Sequence, residues 1–393
     1  MGRLYEQTHP WITFNYRPDH SQASMRMGEA FSACFQLAGT PLQPHLARQF
    51  ASIYLNKGVQ ATTAIEGNTL SADAIDEIVN KNRKLPPSQQ YLEQEVRNVA
   101  EVLSAIREAA WSGDHFRLTP QWLKSRNGAI LAQIDVADHV HPGEFTTTTL
   151  LVGNVYRGAP PEDVPYLVDR LCDWVNARLD GGQSDSIPGD LAFFNAVTTA
   201  ILAHLYLVWI HPFGDGNGRT ARAVECAILA TSGMVPWVSS NLLSDHYNRT
   251  RSHYYERLAS SSRNNDVQGF VDYALSGFVD MLREQITEVQ RMQRRVAWVN
   301  YIHEVFQHET QGEASRRRRM LVLAMDEDGP TPRSQLRHLS AELAETYAGR
   351  SDKTLSHDLN RLRSLGLVAG DARTGYSPLV GSMDAFLPEN NHP

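Results

Sequence analysis

Apolar residues recur at three- and four-residue spacing along most of the chain, the signature of amphipathic helices. Leu46, Phe50, Ile53 and Tyr54 form one such run, Ala74, Ile75 and Ile78 a second, and Leu92, Val96, Val99 and Leu103 a third. Pro86-Pro87-Ser88 separates the last two. Another helix is expected from 120 to 134, ending in the turn His141-Pro142-Gly143. Residues 145–155, FTTTTLLVGNV, break the pattern: four threonines with Leu and Val around Gly153-Asn154 predict a short β-hairpin. Helices resume at 162–179 and 190–210. After a polar, glycine-containing break at 211–218 they continue at 219–232, 247–260 and 267–298. Residues 1–35 hold Trp11, Phe14 and Tyr16 without a sustained period and are expected to form an arm packed on a larger body. The body is expected to be all-α with one hairpin.

After Gln311-Gly312 the character changes. Helices are expected at 315–325, 334–347 and 351–365, with Gly329-Pro330-Thr331-Pro332 as a break and a tight hairpin at 370–376. Three helices followed by a hairpin is the order of a winged helix-turn-helix. Leu355, Leu359 and Leu362 would face its core, leaving Lys353, Arg361 and Arg363 toward phosphates, with a further basic run at Arg316–Arg319. Residues 313–380 carry 11 Lys and Arg against 9 Asp and Glu, a slight positive balance beside an acidic body. Two readings stay open, DNA binding and a protein-interaction or dimerisation module.

Composition narrows the class. Of 393 residues, 42% are hydrophobic and 21% charged, which excludes a wholly disordered chain. A net charge of −7 excludes a nucleic-acid coat or a polybasic membrane binder. Cys34, Cys172 and Cys226 lie far apart and supply neither a disulfide framework nor a CxxC site, so a reducing, cytoplasmic setting is expected. The N-terminus MGRLYEQTHPWITF shows no basic region followed by an apolar run. The most apolar stretch, 201–210, is about half the roughly 20 residues of a spanning helix, so no membrane role is expected.

The chemistry concentrates in residues 211–222, His-Pro-Phe-Gly-Asp-Gly-Asn-Gly-Arg-Thr-Ala-Arg, between two helices. Glycines let backbone N–H groups approach an anion, and the following helix N-terminus adds its dipole. Arg219 and Arg222 share a helix face and suit polyphosphate. Asp215 is placed to hold Mg²⁺ on the same phosphates, and His211 titrates near neutral pH. No GxxxxGK[ST] is present and no strand precedes the loop, so neither a P-loop nor a Rossmann turn fits. The competing reading is a glycine-rich helix connection with solvated charges.

This segment resembles the active-site motif of Fic-domain proteins, HPFx[DE]GNGRxxR, at every specified position. Pro142–Phe145 with the threonines after it resembles the family's β-hairpin flap, and residues 247–258 resemble its nucleotide-side helix. The resemblance covers roughly 123–282 and implies an all-α core with a hairpin flap, Val152, Gly153, Asn154 and Val155 lying at the tip. It implies a protein adenylyltransferase, with His211 taking a proton from a target hydroxyl that attacks the α-phosphate of ATP. Asp215 would hold Mg²⁺, and Phe213 would anchor the loop. Gly216, Asn217, Gly218, Arg219, Thr220, Ala221 and Arg222 would form the phosphate site. Tyr254 or Tyr255 would line the adenine pocket, with Tyr254 favoured and the other reading being core. His204 is expected to be a hydrogen-bonded core histidine. A target protein would lie along the flap, aligned by backbone pairing.

Residues 62–68, Thr-Thr-Ala-Ile-Glu-Gly-Asn, resemble the family's inhibitory motif [ST]xxxE[GN], with Thr62, Glu66 and Gly67 at the matching places. Its place before the core resembles the class with an N-terminal inhibitory helix. Glu66 would pair in bidentate fashion with Arg222 and take the place of the ATP γ-phosphate. The plain alternative is an exposed glutamate at a Gly-Asn helix stop. The resulting plan is a helical region at 1–122 carrying the inhibitory helix, a catalytic core at 123–282, a connecting helix at 283–312 and the winged-helix-like module at 313–383. Two other activities share this site: removal of AMP from modified targets, and nucleotide sensing coupled to DNA binding. A homodimer is compatible with the plan.

Overall fold

The computed structural model describes residues 2–16, 20–113, 115–152, 156–182, 189–326 and 329–383. Among them are fifteen α-helices and two small antiparallel hairpins, an all-α architecture with minimal sheet. The chain divides into two compact units, Met1–Ile286 and Thr287–Pro393.

The first unit begins with α1 (Tyr5–Thr8), α2 (His20–Ala38), α3 (Pro44–Ile65), α4 (Ala72–Lys81), α5 (Gln90–Ser112) and α6 (Pro120–Ile130). The hairpin β1 (Leu151–Val152) and β2 (Tyr156–Arg157) follows, with Leu151 opposite Arg157 and Val152 opposite Tyr156. Then come α7 (Val164–Gly182), α8 (Gly189–Ile210), α9 (Asn217–Thr231), α10 (Leu242–Arg249), α11 (Arg251–Arg263) and α12 (Val267–Gln307), whose residues from Thr287 onward belong to the second unit. One apolar cluster joins Val59 of α3, Ile75 and Ile78 of α4, Val96 and Leu103 of α5, Ile130 of α6 and Ala223, Cys226, Ala227 and Ala230 of α9. Small residues on α9 let α5 lie close against it. Helix α8 is apolar all round and buried nearly all round, Thr198, Thr199 and His204 included, which is the pattern of a core helix. Its 22 residues extend well beyond the ten-residue apolar run and would meet the length and composition of a membrane span, yet it packs between α7 and α9.

Three expectations are corrected. Residues 20–38 form a helix instead of an irregular arm; its buried stripe is Met27, Ala30, Ala33 and Cys34, too small-sided to stand out as a hydrophobic period. The paired strands are Leu151–Val152 and Tyr156–Arg157, where a hairpin over 145–155 was expected. The Thr146 hydroxyl donates to the Thr148 carbonyl and accepts from its N–H, a local turn that competes with strand pairing. The expected helix at 247–260 is two helices, α10 and α11, meeting at Thr250.

The second unit holds α13 (Glu313–Ala324), α14 (Ala341–Tyr347), α15 (Asp352–Ser364) and a hairpin of β3 (Val368–Asp371) and β4 (Gly375–Pro378). Where one helix was expected at 334–347, a 3-10 turn at Leu336–His338 precedes α14. Ser340 caps the new helix by accepting from the Leu343 N–H at 3.2 Å. Leu355, Leu359 and Leu362 enter a core with Trp298, Leu321 and Tyr376. Beside it, Asp358 is fully buried. It accepts from Arg317 Nε at 2.6 Å and Nη2 at 3.0 Å, from Arg318 Nε at 2.9 Å and from the Tyr347 hydroxyl at 2.9 Å. Two members of the basic run are therefore internal ion-pair partners and not a phosphate-facing surface.

Removing the shared anion strands two guanidinium groups. Asp358→Ala is expected to cost about 3–5 kcal/mol. Hydrogen exchange of the α13–α15 amides in urea would read this as an earlier loss of protection, and unchanged protection would refute the central role of Asp358.

Candidate active site

The segment 211–222 links the C-terminus of α8 to the N-terminus of α9. His211 follows the last residue of α8 with φ +53°, a left-handed turn that is costly for a side chain with a Cβ. Neighbours hold it there. The His211 N–H donates to the Leu207 carbonyl at 2.9 Å, and the Ala159 N–H donates to the Ile210 carbonyl at 3.2 Å. Gly158 lies so close that a Cβ there would stand 3.1 Å from the His211 Cβ. The imidazole Nδ1 is 3.3 Å from the Val208 carbonyl, which can only accept. Nδ1 therefore carries the proton and Nε2 keeps a lone pair. Burial holds the imidazole below its ordinary pKa of 6.5, against the opposing pull of Glu66 and Asp215, so the ring is neutral at neutral pH.

The loop is closed by reciprocal bonds. The Phe213 N–H donates to Asn217 Oδ1 at 2.9 Å, and Asn217 Nδ2 donates to the Phe213 carbonyl at 2.6 Å. Phe213 is fully buried, pairs with Phe145 across an antiparallel bridge, and packs ring to ring with it at 5.5 Å. Gly216 precedes α9 at φ +75°, and the first-turn N–H groups of α9, as at any helix start, have no intrahelical acceptors. Arg219 and Arg222 stand on the first two turns. Both are buried, and the Nε of each has no hydrogen-bond partner, two orphaned cationic donors.

Glu66 reaches this pair from the end of α3. That helix stops because Gly67 takes φ +105°, with the Gly67 N–H on the Ala64 carbonyl and the Asn68 N–H on the Thr63 carbonyl. Arg222 Nη2 donates to Glu66 Oε1 at 2.7 Å and to the Thr62 carbonyl at 3.0 Å. The contact is a single charged hydrogen bond, not the bidentate fork expected from the sequence, because the Thr62 carbonyl shares the same nitrogen. Thr62 acts through its backbone. Burial pushes the Glu66 carboxyl up, but Arg222, with Arg219 and His211, outweighs it and holds the group below its usual range. Gly218 makes the approach feasible, since a Cβ there would collide with the Glu66 carboxylate.

Glu66, His211, Gly218, Arg222, Tyr254 and Tyr255 line one cavity of about 520 Å³, the size of a small-ligand site. Thr220 and Ala221 do not join them. Both are fully buried, and Thr220 Oγ1 accepts from Asn127. Asp215 is half exposed and pairs with Arg219 at 3.3 Å. Val152 is in β1, whereas Gly153, Asn154 and Val155 lie outside the described residues.

Sequence reasoning missed the residues that brace the loop. Asn127, on α6 and fully buried, donates to the Asp215 carbonyl at 2.9 Å and accepts from the Gly143 N–H at 3.0 Å, joining the loop to the turn before the flap. Glu95, on α5, pairs with Arg219 at 3.1 Å and accepts from Asn68 Nδ2 at 2.9 Å. The Tyr255 hydroxyl donates to the Ile65 carbonyl at 3.2 Å.

The Fic/DOC family pattern matches residues 117–229, which contain α6, the hairpin, α8 and most of α9. Protein adenylyltransferase fic-1 of Caenorhabditis briggsae is 29% identical over 215 residues, 55% of this chain and 38% of that relative. Protein adenylyltransferase Fic of Drosophila grimshawi is 34% identical over 141 residues, 35% of this chain and 25% of that relative. The chain thus spans less than half the length of these curated relatives. A solved Fic family protein from Desulfovibrio desulfuricans G20 shares the fold, with TM-score 0.54 and 21% identity over 90% of this chain and 93% of that one. With the His211–Arg222 loop, the buried arginines and the hairpin in place, the chain carries a Fic/DOC-family domain.

Proposed function

We propose that the chain transfers AMP from ATP to a hydroxyl side chain of a target protein, or of itself, and that Glu66 restrains the reaction. The observation that carries this reading is the cavity in which a neutral imidazole, its Nδ1 turned to the Val208 carbonyl, shares the wall with the buried Arg222 and the Glu66 carboxylate that holds it. In the reaction the target hydroxyl oxygen bonds to the α-phosphorus, the bridging α–β P–O bond breaks, and pyrophosphate leaves. His211 Nε2 takes the hydroxyl proton. The first-turn N–H groups of α9, with Arg219 and Arg222, bind the β- and γ-phosphates, so positioning and charge neutralisation supply most of the acceleration.

Asp215 suits Mg²⁺ shared with phosphates. Mg²⁺ is usually held by one or two carboxylates, the remaining positions going to phosphate and water, and the Asp215 bonds to Arg219 and the Gly216 N–H both fall on Oδ1. Bound there, Mg²⁺ would neutralise phosphate charge. The target would align by backbone pairing along the short strands of the hairpin.

Glu66 competes with phosphate for Arg222. Losing one charged hydrogen bond is worth about 1.5–3 kcal/mol, so Glu66→Gly is expected to raise transfer roughly ten- to hundredfold. Adding His211→Ala should then lower it by about 10²–10⁴-fold. Incubation with α-³²P-ATP and Mg²⁺, followed by autoradiography of the chain and of a cell lysate, reads both. An ATP-binding Glu66→Gly chain that labels nothing would sink the reading.

A second outcome concerns pH. A general base works only when unprotonated, and burial keeps His211 below 6.5. In the Glu66→Gly chain, kcat/KM should fall only as pH drops through that depressed pKa and stay flat from pH 7 to 8. A limb centred above pH 7 would contradict His211 as the base.

A further inference from the structure

The first unit buries a carboxylate that the transfer chemistry leaves unused. Glu225 stands on α9 three residues past Arg222 and is 1% exposed. Its Oε1 accepts from the Tyr247 hydroxyl at 2.9 Å, and its Oε2 lies 3.4 Å from Nδ1 of His204. His204 is wholly buried on α8, upstream of His211. Its Nε2 is 2.9 Å from the hydroxyl of Tyr254. Tyr254 in turn forms part of the cavity wall beside Glu66 and Arg222. A carboxylate, an imidazole and a phenol thus run in line from the interior to the cavity.

The donor inventory orients this line. The group nearest Nδ1 of His204 is the Glu225 carboxylate, which only accepts; at 3.4 Å the two make a charge contact and not a formed hydrogen bond, and with the proton on that side Nε2 accepts the Tyr254 O–H. The rings fix the rest. His204 meets Tyr247 and Tyr254 edge-on at 5.2 and 5.9 Å, and Tyr247 stacks on Tyr254 at 4.7 Å. A buried acid and imidazole are a poor way to stabilise a core, since apolar residues of similar volume do as well or better. What they provide that apolar residues do not is one fixed orientation for the phenol.

We propose that Glu225 and His204 are positioning residues that lock the Tyr254 ring as a wall for the base of the bound nucleotide, and so set nucleotide affinity and not turnover. The inference rests on the reading of the cavity as an ATP site. It acts at a distance: neither residue lines the cavity, and both work through Tyr254.

The test titrates ATP by calorimetry into the full chain carrying Glu66→Gly and His211→Ala, which removes the competing carboxylate and blocks transfer. Tyr254→Phe, Glu225→Gln and His204→Leu should each weaken ATP binding about tenfold, the effect of one lost hydrogen bond at a preorganised site. His204→Gln, which keeps an acceptor at the end of the side chain, should recover part of the loss. In the Glu66→Gly chain with His211 intact, the same variants should raise KM and leave kcat at saturating ATP within about twofold. Tyr273→Phe is the structural control: it removes a 2.6 Å hydrogen bond to Thr250 from the same aromatic cluster without touching Tyr254's hydroxyl. Unaltered binding in all three variants, or equal weakening by Tyr273→Phe, would overturn the inference alone. Failure of the parent double variant to bind ATP would overturn it together with the reading of the cavity.

Discussion

A buried guanidinium must be given a counter-charge, and Arg222 sets this demand on everything around it. Its side chain is 1% exposed, so water cannot solvate the cation, and an unpaired charge there would cost several kcal/mol. The last turn of α3 meets the demand twice. The Thr62 carbonyl is one of the acceptors that a helix C-terminus leaves unused, and Glu66 follows directly after the helix. The negative end of the α3 dipole therefore faces the guanidinium together with a formal negative charge. A phosphate bound as proposed would compete with both. Removing the Glu66 side chain deletes the charge but leaves the helix end in place, which is why the contact can be weakened without stripping Arg222 of every partner.

The same economy of polar contacts shapes the loop. Asn217 closes it on Phe213 with two bonds from one amide, and Asn127 ties the Asp215 carbonyl to the turn that leads into the hairpin. These amides sit where apolar packing could not define a loop of glycines, because glycine offers no side chain to hold. The strained backbone of His211 depends on that bracing, with Gly158 and Ala159 packed against it from the strand exit. Rigid placement of the base and open N–H groups on α9 are thus two results of one framework.

The core helices and the His211–Arg222 segment were legible because each is a local pattern: period 3.6 for the helices, and titratable groups interleaved with glycine for the loop. What was not legible depends on partners far away in the chain. Asn127 in QWLKSRNGAI looks like any solvent-facing polar residue until α6 is laid against α9. Glu95 looks like the surface acid of a charged helix, yet its partner is 124 residues away. Helix α2 was hidden because its buried stripe, apart from Met27, is built from alanine and cysteine. The run Arg316–Arg319 misled in the opposite direction: charge density suggested a surface, while Asp358 draws two of the four inward.

Glu95 changes how the N-terminal helices are understood. Arg222 is answered by Glu66 and Arg219 by Glu95, and Asn68 connects the two, since it follows Glu66 by two residues and donates to the Glu95 carboxylate. Asn68 is itself held, donating to the Leu92 carbonyl and accepting from the Leu70 N–H. The two arginines proposed to receive phosphate are therefore neutralised by two acids from α3 and α5 through one hydrogen-bonded segment. Local charge is balanced before any ligand arrives. A polyphosphate bound as proposed would bring further negative charge into that balance and compete with both carboxylates for the arginines. Asn68 places the two acids on one hydrogen-bonded segment, so in the proposed reading Glu66 and Glu95 act on the arginines together.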